Sequence, residues 1–440
     1  MTLLDESTLH GSLRDPVLGS LTFLNEIMSR HPGALSFAPG APCLRFLAGI
    51  EITACVERYL EHLRTDRGLT RERARRLLLE YGPARGLIND LVADALRADH
   101  GIDVPPRAVV VTVGAQEAMV CALRCLCRPG TDLLAVVEPC FAGITGAARV
   151  LDIGIAPVGE RGRGVDLDRL TALCGAARAA GRRVRALYVA PDFANPSGLL
   201  LDLAARHALL DAAEREDLLL LEDTAYGFTA EPGRELPPLK RLDRDGRVIL
   251  IGTFAKVCLP GARVGYAVAD QTVTGPAGRT RLLADDLAAV KSALTVNTPP
   301  LSQAVVGGLL LEHGGSLAAL GRQKSAHYRR RLAQLLSALD RHLPAGAGRP
   351  DGVTWNRPDG GFFVRMRLPV PVDEDLLETS ATRFRVLWTP MAAFHLGDSG
   401  SHELRLSCSY LTAEQIDEGA ARLAAFVRHV CATGAPGRKQ

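Results

Sequence analysis

Seven short apolar runs lie between residues 108 and 270 and are separated by segments with helical spacing. The runs are Ala108–Val113, Leu133–Val137, Ile153–Val158, Ala186–Val189, Leu218–Glu222, Val248–Gly252 and Val264–Val268. Nearly continuous aliphatic runs are typical of strands that are buried on both faces. Strands that alternate with helices form parallel sheets. The sequence therefore predicts an α/β domain with a mostly parallel, seven-stranded sheet.

After about residue 275 the pattern changes to longer helical segments, followed by a few short strands and a closing helix at Ala413–Val430. This order predicts a second, smaller α+β domain. We expect the chain to divide into an N-terminal arm (1–32), a part of the small domain (33–75), the large domain (76–315) and the C-terminal small domain (316–440).

Charge and cysteine content exclude several classes of protein. The formal net charge is only +3, spread over the whole chain, which argues against nucleic-acid and anionic-membrane partners. No apolar run reaches the roughly 18 residues that span a bilayer. The ten cysteines are scattered singly through apolar stretches, apart from a helical cluster at 121–127 that lacks a second ligand pair. We therefore expect a cytoplasmic protein without a metal site.

Lysine is rare in this chain, at five of the 52 basic residues, so few side chains can act as an amine nucleophile. Lys256 follows the predicted strand Val248–Gly252, and Pro260, Gly261 and Arg263 come shortly after it. This places Lys256 at the carboxyl edge of the sheet, where open α/β sheets bind ligands. Without further signals, the position of Lys256 would equally be that of a surface lysine in a loop.

Three other strand ends carry groups of the same kind. Gly114-Ala115-Gln116 opens a helix after the first strand, and free N–H groups at a helix start suit a phosphate. Asn195 lies in a proline-rich turn after the fourth strand. Asp223 and Tyr226 follow the fifth strand. Since carboxyl ends of parallel strands meet at one edge, these residues and Lys256 predict one shared site.

In this order and spacing, the residues resemble the fold-type I, pyridoxal-phosphate-dependent aminotransferases of class I/II. The resemblance extends over nearly the whole chain, from Phe37-Ala38-Pro39-Gly40 through Tyr81-Gly82-Pro83 to Leu404-Arg405-Leu406-Ser407. It implies pyridoxal 5′-phosphate as cofactor, an amino acid and a 2-oxo acid as substrates, and a homodimer with shared active sites.

The resemblance also implies a role for each matching residue. Lys256 would bind the cofactor covalently as an imine and act as general base. Asp223 would pair with the pyridine nitrogen, and Tyr226 and Asn195 would bind the phenolate oxygen. Arg405 would hold the substrate carboxylate, with Gly40 and Asn195 beside the substrate. The remaining matches are Phe141, stacked on the ring; Gly114, Ala115, Gln116, Thr253 and Arg263 around the phosphate; and Tyr81, which would reach the phosphate of the neighbouring subunit.

Within this family, segments such as Asn297–Gln303 and Trp388–Met391 look like those of (S)-3,5-dihydroxyphenylglycine transaminases of bacterial secondary metabolism. The expected reaction is transamination of an aryl glycine type of amino acid. Two alternatives stay open. One is an enzyme that diverts the same carbanion to β- or γ-elimination or carbon–carbon bond formation, with S-adenosylmethionine and a nicotinamide nucleotide as substrates. The other is an aminotransferase-like domain of a transcription regulator. His395 and His402 are interpreted as solvated loop residues outside the site.

Overall fold

The computed structural model describes residues 3–15, 17–19, 26 and 29–433. All seven predicted strands form one sheet, which an additional two-residue strand, Gly164–Val165, extends at its edge. In spatial order the strands are Val109–Thr112, Gly265–Val268, Val248–Thr253, Leu219–Asp223, Arg183–Val189, Asp132–Glu138, Gly154–Arg161 and Gly164–Val165. Of the seven, only Gly265–Val268 runs against its neighbours, and the two-residue strand is also antiparallel to its partner. The predicted fold class, a mostly parallel sheet in an α/β domain, is confirmed.

Helices cover both faces of this sheet, as the continuous apolar runs require. One face packs against Gly114–Leu126, Ala142–Val150 and Leu283–Thr295. The opposite face packs against Ile52–Thr65, Arg71–Leu79, Asn89–His100, Leu167–Ala179, Leu203–Arg215 and Pro300–Glu312. Neighbouring strand residues point to opposite faces: Val110 belongs to the first core, and Val109 and Val111 belong to the second.

The second sheet is smaller and antiparallel, with the order Thr354–Trp355, Phe363–Arg367, Glu403–Ser407 and Thr389–Pro390. The helices Leu317–His342, Glu374–Thr379 and Ala413–Thr433 pack with it around one apolar core. Separately, Leu35–Ser36 pairs in parallel with Val386–Leu387 and brings the N-terminal part of the chain to this core. A two-stranded ribbon joins Thr272–Thr274 to Thr280–Leu282.

The packing of residues 33–75 bears on the predicted division into domains. Phe37 lies in the core of the smaller sheet, but Tyr59, Leu63 and Ala74 lie in a core of the large sheet. The helix Ile52–Thr65 therefore groups with the large sheet, because its apolar side chains face Pro300–Glu312. The boundaries themselves stay a prediction.

Over the described ranges, no individual helix combines the length and the hydropathy needed to cross a membrane. The helices Pro300–Glu312 and Leu317–His342 meet that criterion only when joined, and they are bent by 82° relative to one another.

Candidate active site

Lys256 and Tyr226 meet at the carboxyl edge of the large sheet, beneath the segment that contains Gly40. The Lys256 amino group donates a 2.7 Å hydrogen bond to the carbonyl oxygen of Gly40 and lies 6.0 Å from the centre of the Tyr226 ring. A Cβ atom on Gly40 would lie 2.8 Å from the Phe363 ring and 3.7 Å from the Tyr226 hydroxyl. A side chain at Gly40 therefore has no room.

The environment of Lys256 makes its amine easier to deprotonate. Burial lowers the pKa of Lys256 to about 8, and the positive charges of Arg405 and Arg263 act in the same direction. The Asp223 carboxylate opposes this shift. A neutral fraction of the amine is thus present near neutral pH, as a nucleophile or general base requires.

Asp223 ends the strand Leu219–Asp223 and is buried. Its Oδ2 accepts a 2.7 Å hydrogen bond from the Tyr188 hydroxyl, and its Oδ1 accepts one of 3.0 Å from the Ala225 N–H. Burial raises the pKa of Asp223, and these two hydrogen bonds and the charge of Lys256 offset part of that rise. The neighbouring Glu222 points to the opposite face, where its carboxylate accepts hydrogen bonds from the backbone N–H groups of Leu239 and Lys240, which is a structural role.

Asn195 and Arg405 come together from the two sheets. The Arg405 Nη1 donates a 2.7 Å hydrogen bond to the Asn195 Oδ1, and its Nη2 donates to the Ala38 carbonyl at 2.8 Å and to the Thr389 hydroxyl at 3.2 Å. A buried ion pair between Asp192 and Arg206 fixes the turn that contains Asn195. The side-chain oxygen of Asn195 is thus occupied, which leaves its N–H₂ group free to donate to a ligand.

Arg405 is a buried cation without an acidic partner in the part of the chain that the structure describes. Its guanidinium lies 4.4 Å from the centre of the Phe363 ring and 5.0 Å from that of Phe394. Among the described residues its hydrogen-bond partners are the Asn195 amide oxygen, the Ala38 carbonyl and the Thr389 hydroxyl, none of them a carboxylate, and its buried Nε has no partner. Burial lowers the pKa of Arg405 to about 10. An unpaired buried guanidinium is costly, so this arrangement favours a bound carboxylate.

The start of the helix Gly114–Leu126 lies next to the loop that contains Arg263. Gly114 has φ = +72°, and a Cβ atom there would lie 2.5 Å from the Arg263 Nη2. A Cβ atom on Gly265 would lie 2.7 Å from the Ala115 nitrogen. The helix start and the guanidinium therefore lie close together, and both kinds of group suit an anion.

Phe141 and Gln116 lie against each other at Gly143. A Cβ atom on Gly143 would lie 2.3 Å from the Phe141 ring and 2.4 Å from the Gln116 side-chain oxygen, and the Gln116 amide donates to the Gly143 carbonyl at 2.7 Å. Phe141 also lines a small cavity with Tyr188 and Asn195. Thr253 accepts a 3.1 Å bond from the Ala255 N–H in the turn before Lys256.

Tyr81 is 88% exposed, and its role at the phosphate of a neighbouring subunit stays a prediction. Two other residues lie in environments that the interpretation of the sequence did not include. Tyr188 was missed because it lies within a predicted strand, although a tyrosine in an otherwise aliphatic strand was a usable signal. The interpretation of His395 as solvated is wrong, because its side chain is only 7% exposed, between two carboxylates.

The sequence pattern of aminotransferase class I and II matches residues 55–423 of the chain. The chain belongs to this family. Aminotransferases of this class bind pyridoxal 5′-phosphate, so the protein is a pyridoxal-phosphate-dependent transferase. It is 46% identical to the (S)-3,5-dihydroxyphenylglycine transaminase of Amycolatopsis orientalis, over 97% of this chain and 95% of the relative. It is 31% identical to the 2-aminoadipate transaminase of Thermus thermophilus, over 90% of each chain.

Solved structures of this aminotransferase family share the fold. The α-aminoadipate aminotransferase LysN of Thermus thermophilus, in complex with N-(5′-phosphopyridoxyl)-L-leucine, has a TM-score of 0.77 and 29% identity, over 98% of this chain and all of that one. An archaeal alanine:glyoxylate aminotransferase has a TM-score of 0.80 and 26% identity, over 97% of this chain and 100% of that chain. These likenesses confirm the fold-type I architecture expected from the sequence.

The residues at the sheet edge fit the cofactor. A half-buried lysine of lowered pKa suits its aldehyde, a buried aspartate suits its pyridine nitrogen, and the helix start at Gly114 suits its phosphate.

Proposed function

We propose that the protein is an aminotransferase for an aryl glycine type of amino acid and the matching 2-oxo acid. The observation that carries this proposal is the buried Arg405, which has no acidic partner among the described residues and extends to Asn195 beside the lysine site. A guanidinium without a carboxylate partner, near a reactive amine, fits a substrate whose carboxylate and reacting carbon are one bond apart.

In this proposal, each residue acts at a defined atom. The cofactor, when bound, withdraws electrons from the substrate Cα and so weakens its C–H bond. Lys256 holds the cofactor and accepts the Cα proton, because its pKa of about 8 leaves part of the amine neutral. Asp223 keeps the pyridine nitrogen protonated through a charge-assisted hydrogen bond. Tyr188 fixes the orientation of that carboxylate.

The remaining site residues orient the two molecules. Tyr226 and the free N–H₂ group of Asn195 would donate to the phenolate oxygen of the cofactor. Phe141 would stack on its ring. Gly40 would lie beside the substrate, because its carbonyl oxygen contacts the Lys256 amine and its missing side chain lets the backbone pack closely on Phe363 and Tyr226.

The phosphate would be bound by four groups at two strand ends. They are the backbone N–H groups of Ala115 and Gln116, the Thr253 hydroxyl and the Arg263 guanidinium, with Gly114 at the turn. Helix-start N–H groups and a guanidinium both stabilise a dianion.

The aryl glycine class is supported by the 46% identity to a dihydroxyphenylglycine transaminase over nearly the whole length of both chains. The proposal places the reaction in bacterial secondary metabolism, such as antibiotic biosynthesis. A cytoplasmic location is supported by the ten cysteines, all of which are free.

We further propose a homodimer in which Tyr81 completes the phosphate site of the neighbouring subunit. Tyr81 is 88% exposed, and nearby Leu79 is 74% exposed. Other large apolar side chains with high exposure are Leu44, Ile52, Leu294, Val296 and Leu301. Exposed apolar residues of this size are typical of an interface.

The test is a stopped-flow spectrum of the purified holoenzyme mixed with single amino acids, namely phenylglycine, tyrosine, glutamate and S-adenosylmethionine, followed by product mass. We expect phenylglycine or a donor such as tyrosine or glutamate to convert the cofactor to its amine form and to yield the 2-oxo acid. Conversion by S-adenosylmethionine alone, with loss of methylthioadenosine, would contradict the proposal and favour the bond-forming alternative.

A further inference from the structure

His395 lies at the centre of a charged cluster between the two sheets. Its Nδ1 is 3.7 Å from the Glu138 Oε2, and its Nε2 is 3.7 Å from the Glu403 Oε2. Glu138 ends the strand Asp132–Glu138 of the large sheet, and Glu403 begins the strand Glu403–Ser407 of the small sheet. The imidazole therefore bridges one carboxylate from each sheet.

Each carboxylate of this bridge lies close in the sequence to a proposed site residue. Arg405 lies two residues after Glu403 on the same strand, so both side chains point to the same face. Phe141 lies three residues after Glu138. The backbone joins the same regions, because the Cys140 N–H donates to the Phe394 carbonyl at 2.9 Å and the Leu396 N–H donates to the Glu138 carboxylate at 2.5 Å.

His395 has charged groups on several sides. The acids that face it are Glu138, Glu160 and Glu403. The bases next to these acids are Arg365, at 3.9 Å from Glu160, Arg367, at 3.7 Å from Glu403, and Arg169, whose charge acts on Glu138. The Ser399 hydroxyl lies 2.9 Å from its Nδ1.

The protonation state follows from the two carboxylates. Burial by itself lowers the pKa of His395, but its contacts with Glu138 and Glu403 outweigh burial, so its pKa is raised. The bridge is therefore charged at low pH and is lost as the pH rises through this raised pKa.

We infer that His395 is a positioning residue, which holds the strand that carries Arg405 against the cofactor side of the site. This inference rests on the proposed role of Arg405. With the bridge removed, the small-sheet strand keeps its backbone bonds but loses its ionic link to Glu138. The guanidinium is then less well placed for a substrate carboxylate.

The experiment uses two reagents that capture the cofactor aldehyde in the holoenzyme and displace the Lys256 amine. Aminooxyacetate carries a carboxylate, and O-methylhydroxylamine does not. The ratio of their second-order rate constants, followed by the cofactor absorbance, measures how well a carboxylate is held, without knowledge of the natural substrate. We compare wild type with H395Q, R405Q and the control H402Q between about pH 6 and pH 9.5.

In R405Q we expect the ratio to fall roughly tenfold to hundredfold, as for a lost charge-assisted hydrogen bond. In H395Q it falls about fivefold at low pH, and the difference from wild type vanishes above the His395 pKa. H402Q leaves the ratio unchanged, since His402 contacts neither carboxylate in the described structure. A purely structural defect would slow or speed both reagents alike.

E403Q removes the other end of the bridge and is expected to lower the ratio in the same way, which keeps the test valid if H395Q folds poorly. An unchanged ratio in both H395Q and E403Q, together with a fall in R405Q, overturns the inference and leaves the proposed function standing. An unchanged ratio in R405Q overturns the role of Arg405 and the inference with it.

Discussion

The hydroxyl of Tyr188 donates a 2.7 Å hydrogen bond to the buried carboxylate of Asp223. Burial raises the pKa of Tyr188 well above its ordinary value, so this hydroxyl stays a neutral donor. The bond offsets part of the rise that burial causes in the pKa of Asp223, and it orients the carboxylate. Two neighbouring strands of the large sheet thus act together on the group proposed to bind the pyridine nitrogen.

Tyr188→Phe is expected to shift the acid limb of cofactor binding to higher pH. Without the hydrogen bond the pKa of Asp223 rises, so the carboxylate is protonated, and its pairing with the cofactor lost, at a higher pH than in wild type. The measurement is the cofactor dissociation constant as a function of pH. Tyr59→Phe is the control, because it also removes a buried tyrosine hydroxyl, bonded to the Leu87 carbonyl at 3.1 Å. Equal curves for both variants and wild type would refute the role of Tyr188.

The apoprotein is expected to bind cofactor faster as the pH rises through about 8, because only the neutral Lys256 amine attacks an aldehyde and burial lowers its pKa to that value. The rate of the absorbance change after mixing apoprotein with pyridoxal phosphate measures this. Lys256→Ala should give no covalent band at any pH. A band of normal intensity in that variant would assign the covalent link to another lysine.

Gly114→Ala is expected to weaken cofactor binding about tenfold or more, because its Cβ atom displaces the Arg263 guanidinium from the helix start. Gly130→Ala is a matched control. Gly130 also has a positive φ, of +78°, but a Cβ atom there meets nothing within 4 Å. Both variants lose about 1 kcal/mol of stability to the strained backbone, and only Gly114→Ala should change the cofactor dissociation constant. The same constant in both variants would exclude the proposed phosphate site.

Tyr81 is expected to act on the partner subunit, which a subunit-mixing experiment can detect. Tyr81→Ala and Lys256→Ala homodimers should each be strongly impaired. In a mixed dimer, the subunit that keeps Lys256 receives Tyr81 from its partner, so one of the two sites is complete. Activity should therefore reappear after the subunits are exchanged, up to about half of wild type per mixed dimer. If the activity does not rise on mixing, Tyr81 does not serve the neighbouring site.

The sequence was sufficient for the main architecture, because strands buried on both faces leave an unmistakable aliphatic pattern. Lys256, Asp223 and Asn195 lie at or after the ends of their strands, as the sequence predicted, and so at the carboxyl edge of the sheet. Two-residue strands were not predictable. Leu35–Ser36 pairs with Val386–Leu387, more than 300 positions away, and no local sequence pattern indicates that contact.

The missed residues share a physical cause, since their environment comes from distant parts of the chain. Tyr188 is buried like its aliphatic neighbours. Its role becomes visible in the hydrogen bond from its hydroxyl to Asp223 on the adjacent strand. His395 lies in a loop, and its burial depends on Glu138 and Glu403 from two different sheets. The surroundings of Arg405, which hold no acid among its partners in the described ranges, can likewise be seen only in the folded chain.

The most direct test of the central claim is transfer of the amino nitrogen itself. Wild type and Lys256→Ala holoenzyme are incubated with phenylglyoxylate and a set of ¹⁵N-labelled amino acids, and phenylglycine is measured by mass spectrometry. We expect ¹⁵N-labelled phenylglycine with wild type and at least one donor, and none with Lys256→Ala. Absence of labelled phenylglycine with every donor, from wild-type enzyme that binds the cofactor normally, would contradict it.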